Sequence, residues 1–306
     1  MVKKASSCGG GDVKETIEIF EASHLALEGE DMLDDARTLA INFLKDASKK
    51  LHNNNNNNSQ VFEQVVHVLD LPSHWRVEWF DVKWHINEHE KRNHFNPTLL
   101  QLAKLNFNII QAQLQEELKE LSRWWKNLGL EEELNFARSR LVESFMCAAG
   151  VCCEAKFKSL RKWLTKVINF VWDVKEVEDL PEYMRVCFEA LNSVTIETAQ
   201  EIAGENQHID TIIPYIKKAW GEFCEALFVE AKWYKEGYTP CLQQYLKNAS
   251  ISSSGPLILL HIYFATLYQP GHQIHTFLHN NHHLFYNISL IIRLCNDLGT
   301  TLVRNY

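Results

Sequence analysis

The segment IIRLCNDLGTTLVRNY, at positions 291–306, carries side chains whose types and spacing could bind a divalent metal. Asn296, Asp297 and Thr300 supply oxygen ligands, and residues three or four apart share one face of a helix. A third oxygen ligand would be expected one turn further along. The residue there is Arg304, whose positive charge repels a metal cation. The spacing therefore predicts half of a metal site.

A pair of arginines in NFARSRLVESF is a second candidate. Arg138 and Arg140 stand two residues apart on a predicted helix that is otherwise apolar. Taken alone, they are best explained as surface ion pairs that point away from each other. The tryptophan pair before them and the segment 291–306 after them favour a functional role instead.

Two groups of histidines have the spacing of metal ligands. HINEH, at 85–89, matches the H-x-x-E-H pattern of one class of zinc peptidase. His275, His279 and His283 follow at intervals of four residues and could hold a soft metal. A plainer interpretation is favoured for both. The peptidase match is short and lacks a further carboxylate ligand, and residues 280–282 are polar, as on a solvated face.

The elements that must position these residues are predicted to be helices. NPTLLQLAKLNFNIIQAQLQEELKELSRWW, at 96–125, repeats apolar residues every three or four positions, which predicts one long amphipathic helix. Another is predicted to start after Pro214 and to end at Gly237. GPLILLHIYFATLY, at 255–268, predicts a buried helix that is too short to span a membrane. Because strand-like alternation is almost absent, the sequence predicts an all-α fold.

Composition excludes several classes of protein. Of 306 residues, 46% are hydrophobic and 23% are charged, which is typical of a globular domain. The formal net charge of -8, without a cluster of lysine and arginine, argues against a nucleic-acid partner. The start MVKKASSCGGGDVKE lacks the apolar segment of a secretory signal and reaches acidic residues early, so we expect a cytoplasmic location. Oligomeric state is left open.

Two polar interruptions organise the chain. HNNNNNNSQ, at 52–60, is of low complexity and predicts a surface loop. HEKRNHFNP, at 89–97, is a polar break that ends in proline. We place a domain boundary at the second interruption, which divides the chain into residues 1–96 and 97–306.

Several of these segments resemble the plant terpene synthases, in the order of the chain. They are LEGEDMLDDA, LPSHWRVEWFDVKWHIN, NPTLLQLAKLNFNIIQAQLQEEL, SRWWKNLGL, FARSRLVESF, LPEYMRVCFEAL, PYIKKAWGEFCEALFVEAKWY, ISSSGPL and YNISLIIRLCNDLGTT. The likeness is greatest to the angiosperm monoterpene and isoprene synthase branch. It implies the all-α terpene synthase fold, with part of an N-terminal helical domain at 1–96 and an incomplete class I, metal-binding helical domain at 97–306.

The resemblance also implies a chemistry. Members of the family ionise an allylic diphosphate, here expected to be geranyl or dimethylallyl diphosphate, and release a monoterpene or isoprene with diphosphate. Magnesium or manganese ions, held by a DDxxD motif and an (N/D)DxxTxxxE motif, neutralise the leaving group. By this resemblance Asn296 and Thr300 are metal ligands, while Arg138, Arg140 and Arg293 bind the substrate diphosphate.

The sequence departs from the family in ways that predict a truncated, internally deleted member. Roughly two dozen residues, including DDxxD, are absent between Val171 and Trp172. Asp173 and Glu176 have a DxxE spacing but are expected at the start of the following helix as solvated carboxylates, and Arg304 stands where the second motif ends in glutamate. The segment RRx8W, found near the start of relatives, is absent, and full-length relatives of this branch are usually plastidial. The alternative to an active synthase is therefore a catalytically inactive remnant or an incomplete gene model, a helical binding protein at most.

Overall fold

A computed structural model describes residues 10–53, 60–91, 95–130, 138–175, 181–203, 209–268 and 273–304. Every regular element in these ranges is helical, which confirms the predicted all-α class. The α-helices are α1 Gly10–Ser23, α2 Asp31–Asn53, α3 Gln60–Asp70, α4 Glu78–Glu90, α5 Pro97–Leu128, α6 Leu141–Val151, α7 Lys158–Lys175, α8 Pro181–Ala203, α9 Ile209–Glu236, α10 Leu242–Ser252, α11 Gly255–Thr266, α12 Ile274–Asn280 and α13 His282–Arg304.

The chain forms two compact units, Met1–Ile109 and Ile110–Tyr306, that divide within α5. In the first unit α1, α2 and α3 pack around an apolar core that includes Phe20, Leu44 and Val65. The domain boundary expected after residue 96 stays a prediction. Most of the surface loop predicted at 52–60 lies outside the described residues.

The long helix predicted from periodicity is α5, and its ends have local causes. The Asn96 side chain accepts hydrogen bonds from the backbone N–H groups of Thr98 and Leu99, both at 3.1 Å, and so caps the helix. Gly129, with φ +69°, ends it in the left-handed conformation that glycine adopts most readily. The prediction was wrong for α9, which begins at Ile209 and contains Pro214, although Gly237 does end it with φ +63°.

In the second unit α9, α10, α11 and α13 pack on one another. A close approach occurs at Gly255 in α11, where an added Cβ would lie 2.3 Å from Ser289 Oγ of α13. A side chain at position 255 would push the two helices apart. α11 is largely buried, as predicted, and no helix in the described ranges is long and apolar enough to cross a bilayer.

The helix α7 continues through the junction at which a segment was expected to be missing. Phe170 and Val171 are buried, and the helix runs on to Lys175. Asp173 therefore belongs to α7, and its predicted place at the start of the next helix is wrong, because α8 begins at Pro181. The helix is therefore continuous on both sides of the junction between Val171 and Trp172.

The second unit contains a fully buried ion pair. Nε and Nη2 of Arg161 in α7 donate to the two carboxylate oxygens of Glu117 in α5 at 2.8 and 2.7 Å, and both side chains are 0% exposed. Nη1 of Arg161 donates to the backbone carbonyl oxygens of Cys152 and Glu154. The guanidinium thus satisfies acceptors on α5 and on the segment 152–154 at once.

His261 gives the second unit a defined sensitivity to acid. Its ring is 1% exposed, Nδ1 lies 2.8 Å from the Leu257 carbonyl oxygen, and burial lowers its pKa to about 4. The unfolded chain takes up a proton at this residue near pH 6.5, whereas the folded chain does not until about pH 4. Above pH 6.5, His261 therefore does not reduce the free energy of unfolding. As the pH falls from 6.5 towards 4, the protonation of this residue in the unfolded chain lowers the free energy of unfolding.

We expect this residue alone to lower the free energy of unfolding by about 2 kcal/mol between about pH 7 and pH 5. His261→Phe cannot titrate at this position. Over the same interval, the free energy of unfolding of this variant should therefore fall by about 2 kcal/mol less than that of the parent. Urea unfolding of both proteins at the two pH values measures the difference. An equal loss in the two proteins would show that His261 is not neutral in the folded chain.

Candidate diphosphate and metal site

The two arginines of the RSR segment lie immediately before α6. They were predicted to lie on a helix, which is wrong, because residues 138–140 are not helical and α6 begins at Leu141. The backbone oxygen of Arg140 accepts from Ser144 N–H at 2.9 Å and so opens the first turn. Two cationic side chains therefore stand at the positive end of the α6 dipole.

Arg138 is exposed and is held by a surface ion pair. Its Nη2 donates to Glu143 Oε1 at 2.6 Å, and its side chain is 73% exposed. Such pairs contribute little to stability, since water screens the charges and two long side chains must be ordered. A polyanion that approaches α6 can therefore compete for this guanidinium at low cost.

Arg293 in α13 is held much more firmly, with a side chain that is 17% exposed. Its Nε donates to the Tyr245 hydroxyl and to Asp297 Oδ1, both at 2.9 Å. Its Nη1 donates to Glu230 Oε1 at 3.0 Å and, at 3.3 Å, to Ser252 Oγ. These contacts tie α9, α10 and α13 together at one point.

The partners of Arg293 also bind one another. The Tyr245 hydroxyl donates to Asp297 Oδ2, and Ser252 Oγ donates to Glu230 Oε1 at 2.5 Å. Burial tends to lower the pKa of Arg293, but Glu230, Tyr245 and Asp297 overcome this and raise it. Burial and the bond to Asp297 raise the pKa of Tyr245. The guanidinium is thus fixed in its charged form between two carboxylates, which weaken its attraction for a further anion.

Asn296 and Thr300, the predicted metal ligands, are both exposed on α13. Thr300 Oγ1 donates to the backbone oxygens of Asn296 at 2.9 Å and Asp297 at 3.1 Å, so its proton is used within the helix. An amide and a hydroxyl oxygen are weak ligands for magnesium, which prefers carboxylates. The adjacent carboxylate, Asp297, is occupied by Arg293 and Tyr245.

The donor set of this chain does not fit the metal centre that the resemblance implied. The helix α13 ends at Arg304, and at the third ligand position that residue brings a positive charge in place of a carboxylate. Within the ranges the structure describes, no three His, Cys, Asp or Glu side chains are grouped to hold a metal ion. No step of chemistry can be assigned to a metal held by Asn296 and Thr300 alone.

Sequence reasoning missed Glu230, Tyr245 and Ser252 as members of the site. They lie 63, 48 and 41 residues from Arg293 along the chain, and nothing in their local sequence points to that residue. The pairing of Asp297 with Arg293, one helical turn apart, was the one part that spacing could have revealed. The contacts of Arg293 with Asp297 and Glu230 show that the arginine is compensated within the fold.

Comparison with known proteins gives a consistent picture. The model of the terpene synthase family, metal binding domain, matches residues 126–171 and 169–304. An α-farnesene synthase from Ricinus communis is 49% identical over 95% of this chain and 55% of its own length. A chloroplastic isoprene synthase from Populus tremuloides is 38% identical over 94% of this chain and 52% of its own. The chain spans about half the length of the curated relatives it matches.

A solved structure shares the fold. Isoprene synthase from grey poplar leaves, determined with three Mg²⁺ ions and dimethylallyl-S-thiolodiphosphate, superposes with a TM-score of 0.84 at 37% identity. The superposition covers 96% of this chain and 60% of that one. The fold predicted from the sequence segments is confirmed. With a family model that matches more than half of its length, this chain belongs to the terpene synthase family.

Proposed function

We propose that this chain is part of a class I terpene synthase, and that the whole protein converts geranyl or dimethylallyl diphosphate into a monoterpene or isoprene and diphosphate. The observation that carries the proposal is the pair Arg138 and Arg140 at the positive end of α6, where Arg138 is exposed and forms a surface ion pair with Glu143. Guanidinium groups form charge-assisted hydrogen bonds with phosphate oxygens. Membership of the family supports this assignment.

The length of the hydrocarbon chain in the substrate is a separate part of this proposal. One relative of this chain is named an α-farnesene synthase and is more similar to it than the isoprene synthases are. A farnesyl diphosphate arm therefore belongs in any assay beside the geranyl and dimethylallyl arms. All three substrates carry the same diphosphate, so the role of the arginines is independent of the hydrocarbon.

A second candidate is a chain that binds diphosphate without turnover. Three observations support it: the sequence contains no DDxxD, the family match is split in two segments that meet at residues 169–171, and Arg304 stands at a ligand position. The helix α7 passes through the same place without a break. Magnesium or manganese, which the family uses, would therefore lack its protein ligands in this chain.

The location of the protein in the cell is a separate proposal. The cytoplasmic location expected from the first residues stays a prediction, and the Populus tremuloides relative is named chloroplastic. Oligomeric state stays open.

Binding of inorganic diphosphate tests the arginine site. We expect Arg138→Ala combined with Arg140→Ala to weaken binding by about tenfold or more, since each charge-assisted bond contributes roughly 1.5–3 kcal/mol. Arg293→Ala should weaken it less, because Glu230 and Asp297 already compensate that charge. Calorimetric titration at low and high salt measures both effects, and binding should weaken as salt rises.

The matched control is Arg123→Ala, which removes an exposed arginine from α5. It should bind diphosphate as the parent does. If the double variant also binds as the parent does, Arg138 and Arg140 are surface residues without a role in the site. If Arg293→Ala is the most damaging change, the compensated arginine is the principal anion ligand and our order of importance is reversed.

A further inference from the structure

Four histidines form an exposed row where α12 meets α13, and the terpene synthase assignment makes no use of them. They are His275, His279, His282 and His283. The rings of His275 and His279 lie with centroids 6.5 Å apart and planes within 6° of parallel. The ring of His282 follows at 6.2 Å from His279. The sequence favoured a solvated face for this segment, and the structure adds the relative orientation of the rings.

The structure changes which histidines can act together. The interval of four between His279 and His283 would align them only on a continuous helix, but α12 ends at Asn280 and α13 begins at His282. His275 and His279 lie within α12, one turn apart and on one face. They are therefore the pair that one continuous helix places on the same face, although the rings of His282 and His283 lie closer, with centroids 3.8 Å apart.

We propose that His275 and His279 chelate one divalent transition-metal ion of the imidazole-binding class, such as Ni²⁺, Cu²⁺ or Zn²⁺. Histidines four residues apart on one helix face are a recurrent arrangement for such ions. A bond from metal to nitrogen of roughly 2 Å would bring the two centroids to about 5 Å. Both side chains are exposed, so small rotations of the rings close the remaining distance without disturbing packed neighbours.

The neighbouring ring, that of His282, is oriented by the backbone and is not a ligand of the proposed chelate. His282 Nδ1 lies 2.8 Å from the His279 carbonyl oxygen, which can only accept a hydrogen bond, so Nδ1 carries the proton. In the described part of the chain no three such side chains are arranged as a metal site, so the chelate has two protein ligands and water completes it.

Titration of the full chain with Ni²⁺ by calorimetry tests the proposal. We expect one saturable site, and we expect His275→Ala or His279→Ala to weaken it by about a hundredfold, because a single imidazole loses the effective concentration that the chelate provides. His283→Ala is the matched control, as an exposed histidine of the same segment outside α12. It should leave the affinity unchanged.

Several outcomes would overturn the assignment. They are the absence of a saturable site, binding that neither substitution in α12 weakens, or an equal loss in His283→Ala. Because the substituted side chains are exposed, circular dichroism and thermal melting should match the parent, and a variant that fails to fold is replaced by His275→Gln or His279→Gln. Elution from immobilised nickel is a second readout. Both α12 variants should elute at lower imidazole than the control.

Discussion

Purified chain incubated with geranyl diphosphate and excess Mg²⁺ is expected to form no terpene above a protein-free control, and the same holds for dimethylallyl and farnesyl diphosphate. The reason is the donor set: the sequence contains no DDxxD, and of the three ligand positions in the second motif only Asn296 and Thr300 remain, with Arg304 in place of the last carboxylate. Magnesium is bound in proteins through carboxylate oxygens, and where these are absent the ion retains its water ligands instead. The loss should be complete within detection, since rate enhancements by enzymes are of the order of 10⁶-fold or more.

Gas chromatography of the extracted products measures this result. A terpene synthase that contains both motifs, assayed under the same conditions, controls for substrate and metal quality. Turnover by this chain that a chelator abolishes would contradict the expectation. It would direct attention to Asp297, the carboxylate that Arg293 and Tyr245 now occupy.

Removal of Arg161 is expected to have the largest effect on stability. Arg161→Met leaves the Glu117 carboxylate fully buried without its bidentate partner, with only the Gln113 side chain at 2.9 Å still donating to it. Breaking a buried ion pair in this way costs about 3–5 kcal/mol, a large part of a typical margin of about 5–15 kcal/mol. Urea unfolding should show the change as a lower midpoint.

Two further variants decide whether the cost arises from the stranded charge. Arg161→Met with Glu117→Leu should recover part of the loss, although the carbonyls of Cys152 and Glu154 stay without their donor. Lys119→Met, which breaks an exposed pair with Glu116 on the same helix, should change stability by less than about 0.5 kcal/mol. If Arg161→Met costs no more than Lys119→Met, the buried pair is not what holds α5 to α7.

The helices could be predicted from the sequence where the signal is local. The periodicity of 96–125 and the cap at Asn96 fixed α5 because each turn of a helix is set by residues within four positions. The start of α9 was misplaced because proline at position 214 suggested a beginning, whereas a proline is tolerated inside a helix when packing compensates. The arginines of the RSR segment were placed on a helix because the apolar pattern that starts at Leu141 was extended too far upstream.

The candidate site was harder to predict because its interactions are not local. The types and spacing of Asn296, Asp297 and Thr300 suggested half of a metal site, and the resemblance to the terpene synthases implied that Arg293 binds diphosphate. The contact of Glu230 with Arg293 joins helices that are far apart in sequence, and the packing of α10 against both α9 and α13 brings the two residues together. Spacing along the chain carries no information about such pairs, so the contribution of Glu230 to the compensation of Arg293 could not be foreseen.

The central claim is that the arginine part of the site remains while the metal part does not. Its most direct test is a calorimetric titration of inorganic diphosphate into the chain, with Mg²⁺ and with a chelator, repeated in Arg304→Glu and in the matched control Arg304→Gln. We predict equal affinity with and without metal in the parent and in Arg304→Gln, and binding strengthened by Mg²⁺ only in Arg304→Glu, which restores one carboxylate ligand. Affinity that rises with Mg²⁺ in the parent chain would show that a working metal site is present and would contradict the claim.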